Sequence, residues 1–138
     1  MTRKELKQYR SLKTEIADLE REIDRLRDML EKVPEVMGKV SKSSDDFPYI
    51  EEHVSVKMSE PREASELNKR IRIKEQRKDA ASRLVVKIES FIAGIPDSTE
   101  RQIFDMIYLQ GMKQQVVADK IGYSRSRVPQ IISKVLKD

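Results

Sequence analysis

The sequence is poor in the residue types that build catalytic, metal-binding and disulfide-bonded sites. It contains no cysteine and no tryptophan, and its one histidine is His53. Disulfides, thiolate nucleophiles and cysteine-based zinc sites are therefore excluded, and a single histidine does not make a histidine-rich metal site. The sequence also lacks a glycine-rich phosphate loop and a recognisable nucleophile–base pair. We therefore expect neither an enzyme nor a bound metal or cofactor.

Aromatic residues and long apolar runs are scarce as well. Aromatic side chains make up 5% of the chain, whereas charged and hydrophobic residues make up 38% each. This balance is too apolar for a disordered chain and too charged for one thick core, so it favours long amphipathic helices with aliphatic faces. No apolar run approaches the roughly 18 residues of a membrane-spanning helix, and the first ten residues lack the apolar stretch of a secretory signal. We expect a cytoplasmic protein without a membrane partner.

The net charge of +4 is unevenly distributed along the chain. Residues 1–60 carry 12 Lys and Arg against 14 Asp and Glu, residues 61–97 carry 9 against 6, and residues 98–138 carry 7 against 4. The positive excess therefore lies in the C-terminal half, where a polyanion such as DNA would dock. A basic helix matched to an acidic neighbour within the protein would give the same composition.

Two heptad repeats predict a pair of long helices. Thr2 is the expected N-cap of the first helix, and Pro34 ends it. The second helix is predicted to begin at Pro61 and to close at Gly94. The apolar seam positions are Tyr9, Leu12, Ile16, Leu19, Ile23, Leu26, Leu30 and Val33 in the first helix, and Leu67, Ile71, Ala81, Val85, Ile88, Ile92 and Ile95 in the second. An antiparallel hairpin within one chain and a homodimer with helices paired between chains bury the same seams.

The segment between the two repeats, residues 34–60, interrupts the heptads. Its first part is a polar run after Gly38 that predicts a loop. The alternation of Val54, Val56 and Met58 then predicts a short strand or extended arm. A single strand has no partner within this chain, so it would form a hairpin or pair with a second copy.

The densest basic run of the chain lies in the second predicted helix. One interpretation places these side chains on DNA phosphates, and the other places them against the acidic outer positions of the first helix or in solvent. The run consists of Lys69, Arg70, Arg72, Lys74, Arg77 and Lys78.

The last forty or so residues predict three short helices. The first spans residues 98–110, is capped by Asp97 or Ser98, and is stopped by Gly111. A short helix follows from about residue 113 to 120, and a last helix completes the chain.

The spacing between the last two predicted helices is that of a helix-turn-helix. Ala118 is small, which allows close helix crossing, and Gly122 supplies the left-handed backbone that a tight turn requires. Ser124 is the expected N-cap of the last helix. Apolar side chains at Val117, Ile121, Val128 and Ile131 are expected to pack these two helices against the preceding one.

The side chains left outward on this unit are of the kinds that contact DNA. Arginine forks recognise guanine, glutamine recognises adenine, and lysine binds phosphate. The predicted DNA-binding residues are Lys113, Gln114, Ser124, Arg125, Ser126, Arg127, Gln130 and Lys134.

Pro129 complicates this assignment. If Ser124 caps the last helix, Pro129 lies at the fifth helical position, where one backbone hydrogen bond is lost and the helix is expected to kink. The alternative is that the helix begins later, with Ser126 or Arg127 as its cap. Either outcome changes which side chains enter a DNA groove.

These C-terminal motifs carry a resemblance to a known family. The stretches TERQIF (99–104), YLQGM (108–112) and VADKIGYSRSRVPQI (117–131) resemble region 4 of sigma-70-type factors. The upstream stretches DFPYI (46–50) and IESFI (88–92) are similar to phage-encoded sigma-like regulators of the ArpU and RinA kind. The resemblance implies that the last helix binds promoter DNA at the −35 element.

The sequence therefore predicts a mainly all-α protein of two parts. Residues 1–95 form a helical hairpin or coiled coil with an extended arm at 34–60, and residues 96–138 form a helix-turn-helix domain. The leading functional hypothesis is a transcription regulator that binds double-stranded DNA, with RNA polymerase and a second copy of the chain as further candidate partners. The alternative is a coiled-coil adaptor that binds proteins without reading DNA.

Overall fold

A computed structural model describes residues 1–33 and 62–137 in full and residues 47–61 as backbone only. The described chain is all-α: two long helices pair antiparallel, short helices follow, and no strand occurs in these ranges. No helix among them is long and apolar enough to cross a membrane. The helices are α1 (Arg3–Lys7), α2 (Tyr9–Glu31), α3 (Phe47–Ala93), α4 (Ser98–Phe104), a π-helical segment (Asp105–Leu109), α5 (Gln114–Ile121) and α6 (Arg127–Leu136).

The first heptad repeat forms α1 and α2, which are separated only at Gln8. The Thr2 hydroxyl accepts a hydrogen bond from the N–H of Glu5 at 3.2 Å, so the predicted N-cap is confirmed. Helix α2 ends at Glu31, shortly before Pro34, as expected from the restriction that proline places on the preceding residue.

The strand predicted within residues 34–60 is wrong where the structure describes this segment. From Phe47 onward the backbone is helical and continues into α3, and residues 34–46 lie outside the described residues. A lone strand leaves its backbone groups unpaired. Extending an existing helix instead adds a hydrogen bond for each residue that is fixed, and this outweighs the short alternation of valines.

The predicted start of the second helix at Pro61 is also wrong, because Pro61 lies well inside α3. Proline has no N–H to donate to the carbonyl of Lys57 one turn earlier, so this position costs the helix one hydrogen bond. The predicted end of the helix is confirmed, since α3 closes at Ala93, directly before Gly94.

One compact unit of the chain contains Met1–Ile16 together with Ala80–Asp138. Its core joins residues from both ends of the chain. Among its buried residues, Leu6 of α1 has no exposed surface, nor do Ile103 and Phe104 of α4. The N-terminal helix is thus part of the same core as the short C-terminal helices. The predicted division into domains at residue 95 stays a prediction.

The second compact unit is Ala17–Asp79, and within it α2 and α3 run antiparallel. Its described apolar cluster is formed by Ile23 and Leu26 of α2 and by Leu67 and Ile71 of α3. These residues belong to the predicted heptad seams, and they are packed within a single chain.

Part of the basic run in α3 faces acidic residues of α2. Lys74 Nζ lies 2.6 Å from Glu22 Oε2, and Lys78 Nζ lies 3.6 Å from Glu20 Oε1. The hydrogen bond from Lys74 is the main reason that the pKa of Glu22 is lowered, and the positive charge of Lys74 adds to it. For these two lysines, the interpretation as partners of the first helix is confirmed.

We expect Leu6→Ala to destabilise the protein by about 2–5 kcal/mol, because it leaves a cavity in the core that α1 shares with the C-terminal helices. Chemical denaturation followed by circular dichroism measures the free energy of unfolding. Leu84→Ala is the control: Leu84 lies on α3 in the same unit and is 41% exposed, so its loss is expected to change stability by about 0.5 kcal/mol or less. Equal effects of the two substitutions would contradict the shared core.

We expect Lys74→Met to raise the pKa of Glu22, because it removes the hydrogen bond and charge that favour the carboxylate. An NMR titration of the Glu22 side-chain carboxyl measures this change. Arg77→Met is the control, since the charge of Arg77 is the smallest of the causes and its removal should give a smaller rise. If Lys74→Met left the pKa of Glu22 unchanged, the hydrogen bond between Lys74 and Glu22 would be contradicted.

The lowered pKa of Glu22 also fixes the direction of its effect on stability. A carboxyl whose pKa is lower in the folded state contributes stability above its unfolded pKa. That contribution is lost as the pH falls below about 4.5 and through the lowered folded value.

Candidate nucleic-acid interface

The C-terminal helices are arranged around an aromatic centre. The Asp97 carboxylate accepts a hydrogen bond from the N–H of Glu100 at 3.0 Å, so Asp97 is the cap of α4. Phe104 at the other end of α4 packs edge-on against Phe91 and tilted against Tyr108, with ring centroids 6.4 Å and 5.5 Å away. Helix α6 packs on α4, and α5 packs on both α6 and the π-helical segment. The aromatic side chains thus belong to the core against which α5 and α6 pack.

The predicted third helix has the expected length, but its last turn is not α-helical. Residues Asp105–Leu109 form a π-helical turn, and the N–H of Gln110 donates to the Asp105 carbonyl at 3.0 Å. The Gln110 side chain donates to the Asp105 carboxylate at 2.9 Å. This wider turn places both Met106 and Tyr108 in the core.

The turn between α5 and α6 is the one that the sequence predicts. Gly122 has φ +88°, in the left-handed region that glycine enters without steric cost. Its N–H and that of Tyr123 both donate to the carbonyl of Ala118, at 2.8 Å and 2.9 Å. Ala118 is buried at the helix crossing, so the roles predicted for Ala118 and Gly122 are confirmed.

The last helix begins later than Ser124, so the predicted cap is wrong. Helix α6 starts at Arg127, with Ser126 in the cap position, and residues 124–126 form a turn in which the N–H of Arg127 donates to the Ser124 carbonyl at 3.1 Å. Pro129 is then the third helical residue. The N–H groups of the first turn have no partner inside a helix, so proline costs no hydrogen bond at this position. The later start of α6, and not a kink, is therefore how the helix accommodates Pro129.

Helix α6 has one apolar and one polar face. Four of its side chains are buried, at Val128, Ile131, Ile132 and Leu136. At roughly 100° per residue, the opposite arc is centred on Gln130 and is flanked by Ser133 and Lys134, with Arg127 and Pro129 at its edges. These five residues are exposed. Gln130 lies near the middle of the exposed face in the first half of the helix.

The two arginines before and at the start of α6 differ in how they are held. The Arg127 guanidinium carbon lies 5.9 Å from the centroid of the Tyr123 ring, a distance at which a cation–π contact orients the side chain. Tyr123 is half-buried and packs against the core. Arg125 lies in the preceding turn, is exposed, and forms no ion pair in the part of the chain that the structure describes. The contact with Tyr123 therefore orients the Arg127 side chain, whereas the exposed Arg125 side chain can change its conformation when a ligand binds.

The N-termini of α5 and α6 lack side-chain caps, whereas Thr2 and Asp97 cap α1 and α4. Lys113 occupies the cap position of α5, and the first helical bond there runs from the N–H of Val117 to the carbonyl of Lys113. The amide groups before Val117 therefore have no partner within the helix. Lys113 and Gln114 lie exposed beside these donors. Open amides at the positive end of a helix dipole form an anion-binding arrangement.

Lys134 is engaged within the protein. Its Nζ lies 3.0 Å from Glu100 Oε1, and Glu100 is largely buried in the first turn of α4. Lys134 also lies toward the C-terminal end of α6, whereas the other predicted residues gather at the N-termini of α5 and α6. The contact of Lys134 with DNA stays a prediction.

Two residues of the exposed face were missed by the sequence reasoning. Neither Pro129 nor Ser133 is among the predicted DNA-binding residues. Ser133 follows from the helical period alone, because Gln130 and Ser133 lie on the side of the helix opposite the buried residues.

Comparison with known proteins gives a family for this part of the chain. Residues 97–138 match the model of sigma-70, region 4. The chain thus carries at its C-terminus a helix-turn-helix of a non-catalytic, DNA-binding family of transcription proteins. No curated protein and no solved structure gives a significant match. Among the described residues, no group of three or more acidic or histidine side chains is placed to hold a metal ion.

We expect Pro129→Ala to change the free energy of unfolding by less than about 1 kcal/mol, because position three of a helix has no hydrogen bond to regain. Thermal and denaturant unfolding measure this difference. If the helix instead began at Ser124, the proline would lie in its interior, and its removal would stabilise the protein by about 3 kcal/mol. A gain of that size would contradict the observed start of α6.

Proposed function

We propose that this chain is a transcription regulator that reads promoter DNA with the N-terminal half of α6. The observation that carries the proposal is the exposed set of polar and basic side chains at the start of α6, presented on a buried scaffold of the sigma-70 region 4 kind. An α-helix fits the major groove of B-DNA, where base edges present distinct donor and acceptor patterns. The reading residues are proposed to be Arg125, Ser126, Arg127 and Gln130.

Each reading residue matches a different feature of the groove. Arg127, held by Tyr123 at the first position of α6, suits a bidentate contact with guanine. Gln130 lies one turn further along the exposed face and suits adenine, whose edge offers one donor and one acceptor. Arg125 approaches from the turn before the helix and suits either a base edge or a phosphate. We assign base discrimination chiefly to Arg127 and Gln130.

The phosphate backbone is proposed to lie across the N-terminus of α5. The open amides there, together with Lys113 and Gln114, offer hydrogen-bond donors and positive charge beside the reading helix. Such contacts fix the register of a protein on DNA without reading its sequence. Ser124 and Ser126 lie in the turn before α6, and their hydroxyl oxygens are 3.4 Å apart. Both hydroxyls are therefore proposed to contact the same DNA strand.

The proposal includes a wider setting that rests on sequence resemblance. The stretches DFPYI and IESFI are similar to phage-encoded sigma-like regulators of the ArpU and RinA kind, and we propose a corresponding role at phage promoters. Contact with RNA polymerase and assembly of a homodimer belong to the same proposal. A dimer would double the reading heads and lengthen the recognised site.

The test is binding of the full chain to fluorescently labelled random-sequence duplex DNA, measured by anisotropy over a series of salt concentrations. We expect the affinity to fall steeply with salt, because bound Lys and Arg release counterions from DNA. Arg125→Ala/Arg127→Ala should weaken binding at least tenfold, since it removes two contacts at the groove. Arg70→Ala/Arg72→Ala is the matched control, because it removes two exposed charges from the other compact unit.

The control variant also separates the two interpretations of the basic run. Wild-type affinity in Arg70→Ala/Arg72→Ala, together with loss in the Arg125/Arg127 variant, places DNA at α6. Loss in the Arg70/Arg72 variant alone would move the interface to α3. No binding by the wild type at low salt would contradict DNA binding by the isolated chain and favour the coiled-coil adaptor.

A further inference from the structure

The N-terminal helix α1 lies beside the helix-turn-helix in the same compact unit. Leu6 and Tyr9 point inward and are buried with the C-terminal helices in one core. The rest of this short helix and the start of α2 are therefore held at a fixed place next to α5 and α6.

Three cations of this segment form a strip along one flank. Arg3, Lys7 and Arg10 follow one another at spacings of four and three residues, which places them within an arc of roughly 60°. All three are exposed. Glu5, the acidic residue of α1, lies on the other flank, where its carboxylate is 3.8 Å from Lys87 Nζ. Within residues 3–10, the strip is therefore on a different side from Glu5.

One end of the strip contacts the exposed face of α6. Arg3 Nη2 donates a hydrogen bond to Ser133 Oγ at 2.6 Å. Ser133 lies three residues, just under one turn, beyond Gln130 on α6, so this contact brings a guanidinium to the C-terminal side of the proposed reading residues. A side chain at this position is placed to meet the phosphates that border the occupied groove.

The other end of the strip lies beside the entry to α5. The Arg10 side chain passes so close to Gly111 that a Cβ at that position would overlap its guanidinium and its Cδ. Gly111 has φ +76° and stands two residues before Lys113, the residue at the uncapped N-terminus of α5. Arg10 thus lies next to the helix terminus at which the proposed phosphate contact is made.

We propose that Arg3, Lys7 and Arg10 bind DNA phosphates and extend the interface beyond the helix-turn-helix. This inference rests on the proposed function, because the strip can contact DNA phosphates only if α6 binds DNA. Its two ends lie at two parts of the same interface, the exposed face of α6 and the entry to α5. The contacts carry no sequence information and act through charge, since phosphates are the same at every base pair.

The experiment compares the salt dependence of DNA binding by Arg3→Gln/Arg10→Gln with that of the wild type. Each lost phosphate contact lowers the slope of log affinity against log salt by about 0.9, so the expected decrease is about 1.8. Arg3→Lys/Arg10→Lys keeps both charges and should keep most of the slope. Arg83→Gln/Lys87→Gln is the matched control, because it removes two exposed cations of α3 from the same unit, on the side of Glu5. Circular dichroism melts check that every variant is folded.

The outcomes distinguish the strip from the reading helix. A reduced slope in the Arg3/Arg10→Gln variant, with a near wild-type slope in the lysine and control variants, supports the strip. A wild-type slope in Arg3/Arg10→Gln, while the Arg125/Arg127 variant loses binding, overturns the strip and leaves the proposed function standing. Equal losses in the test and control variants also overturn it, because they indicate a general effect of net charge. Absence of DNA binding by the wild type overturns both proposals.

Discussion

The structure of the proposed reading surface depends on burial of one apolar core around Phe104. Helices α5 and α6 have 8 and 10 residues, which is too short for a helix to be stable in water by itself. Each is held by inward side chains, chiefly Val117 and Val128, which have no exposed surface. Leu6 enters the same core from the opposite end of the chain. The position of α6 is thus set by tertiary packing, and the N-terminal residues take part in it.

The helices of this core differ in whether a side chain caps their N-terminus. Thr2 and Asp97 satisfy the first amides of α1 and α4 with their own side chains, which stabilises these two helices. The N-termini of α5 and α6 have no such caps and lie where the exposed polar residues gather. Where no side chain caps a helix, its first backbone N–H groups remain as donors for solvent or for a ligand. The amides left open for a ligand are in this way confined to the N-termini of α5 and α6.

The features that followed from local rules were predicted from the sequence, and those that depend on competition between rules were not. The heptads, the Thr2 cap and the turn at Gly122 each rest on one strong preference, and the structure has all three. The strand within residues 47–60 failed because a valine alternation competed with the extension of a long helix, which had more hydrogen bonds to gain. The π-helical turn at Asp105–Leu109 had no signal in the sequence, because it arises from placing both Met106 and Tyr108 in the core.

The start of α6 shows how one residue sets the shape of the candidate site. Proline at the third helical position is tolerated, but an earlier start would place it where it removes a hydrogen bond and meets the preceding turn. Pro129 therefore disfavours any extension of the helix toward Ser124 and keeps residues 124–126 in a turn. Arg125 then lies in the turn and Arg127 at the start of the helix, so two arginines close in sequence are held on different kinds of backbone. A residue without a hydrogen-bonding side chain thereby determines the backbone on which two proposed DNA-binding residues are presented.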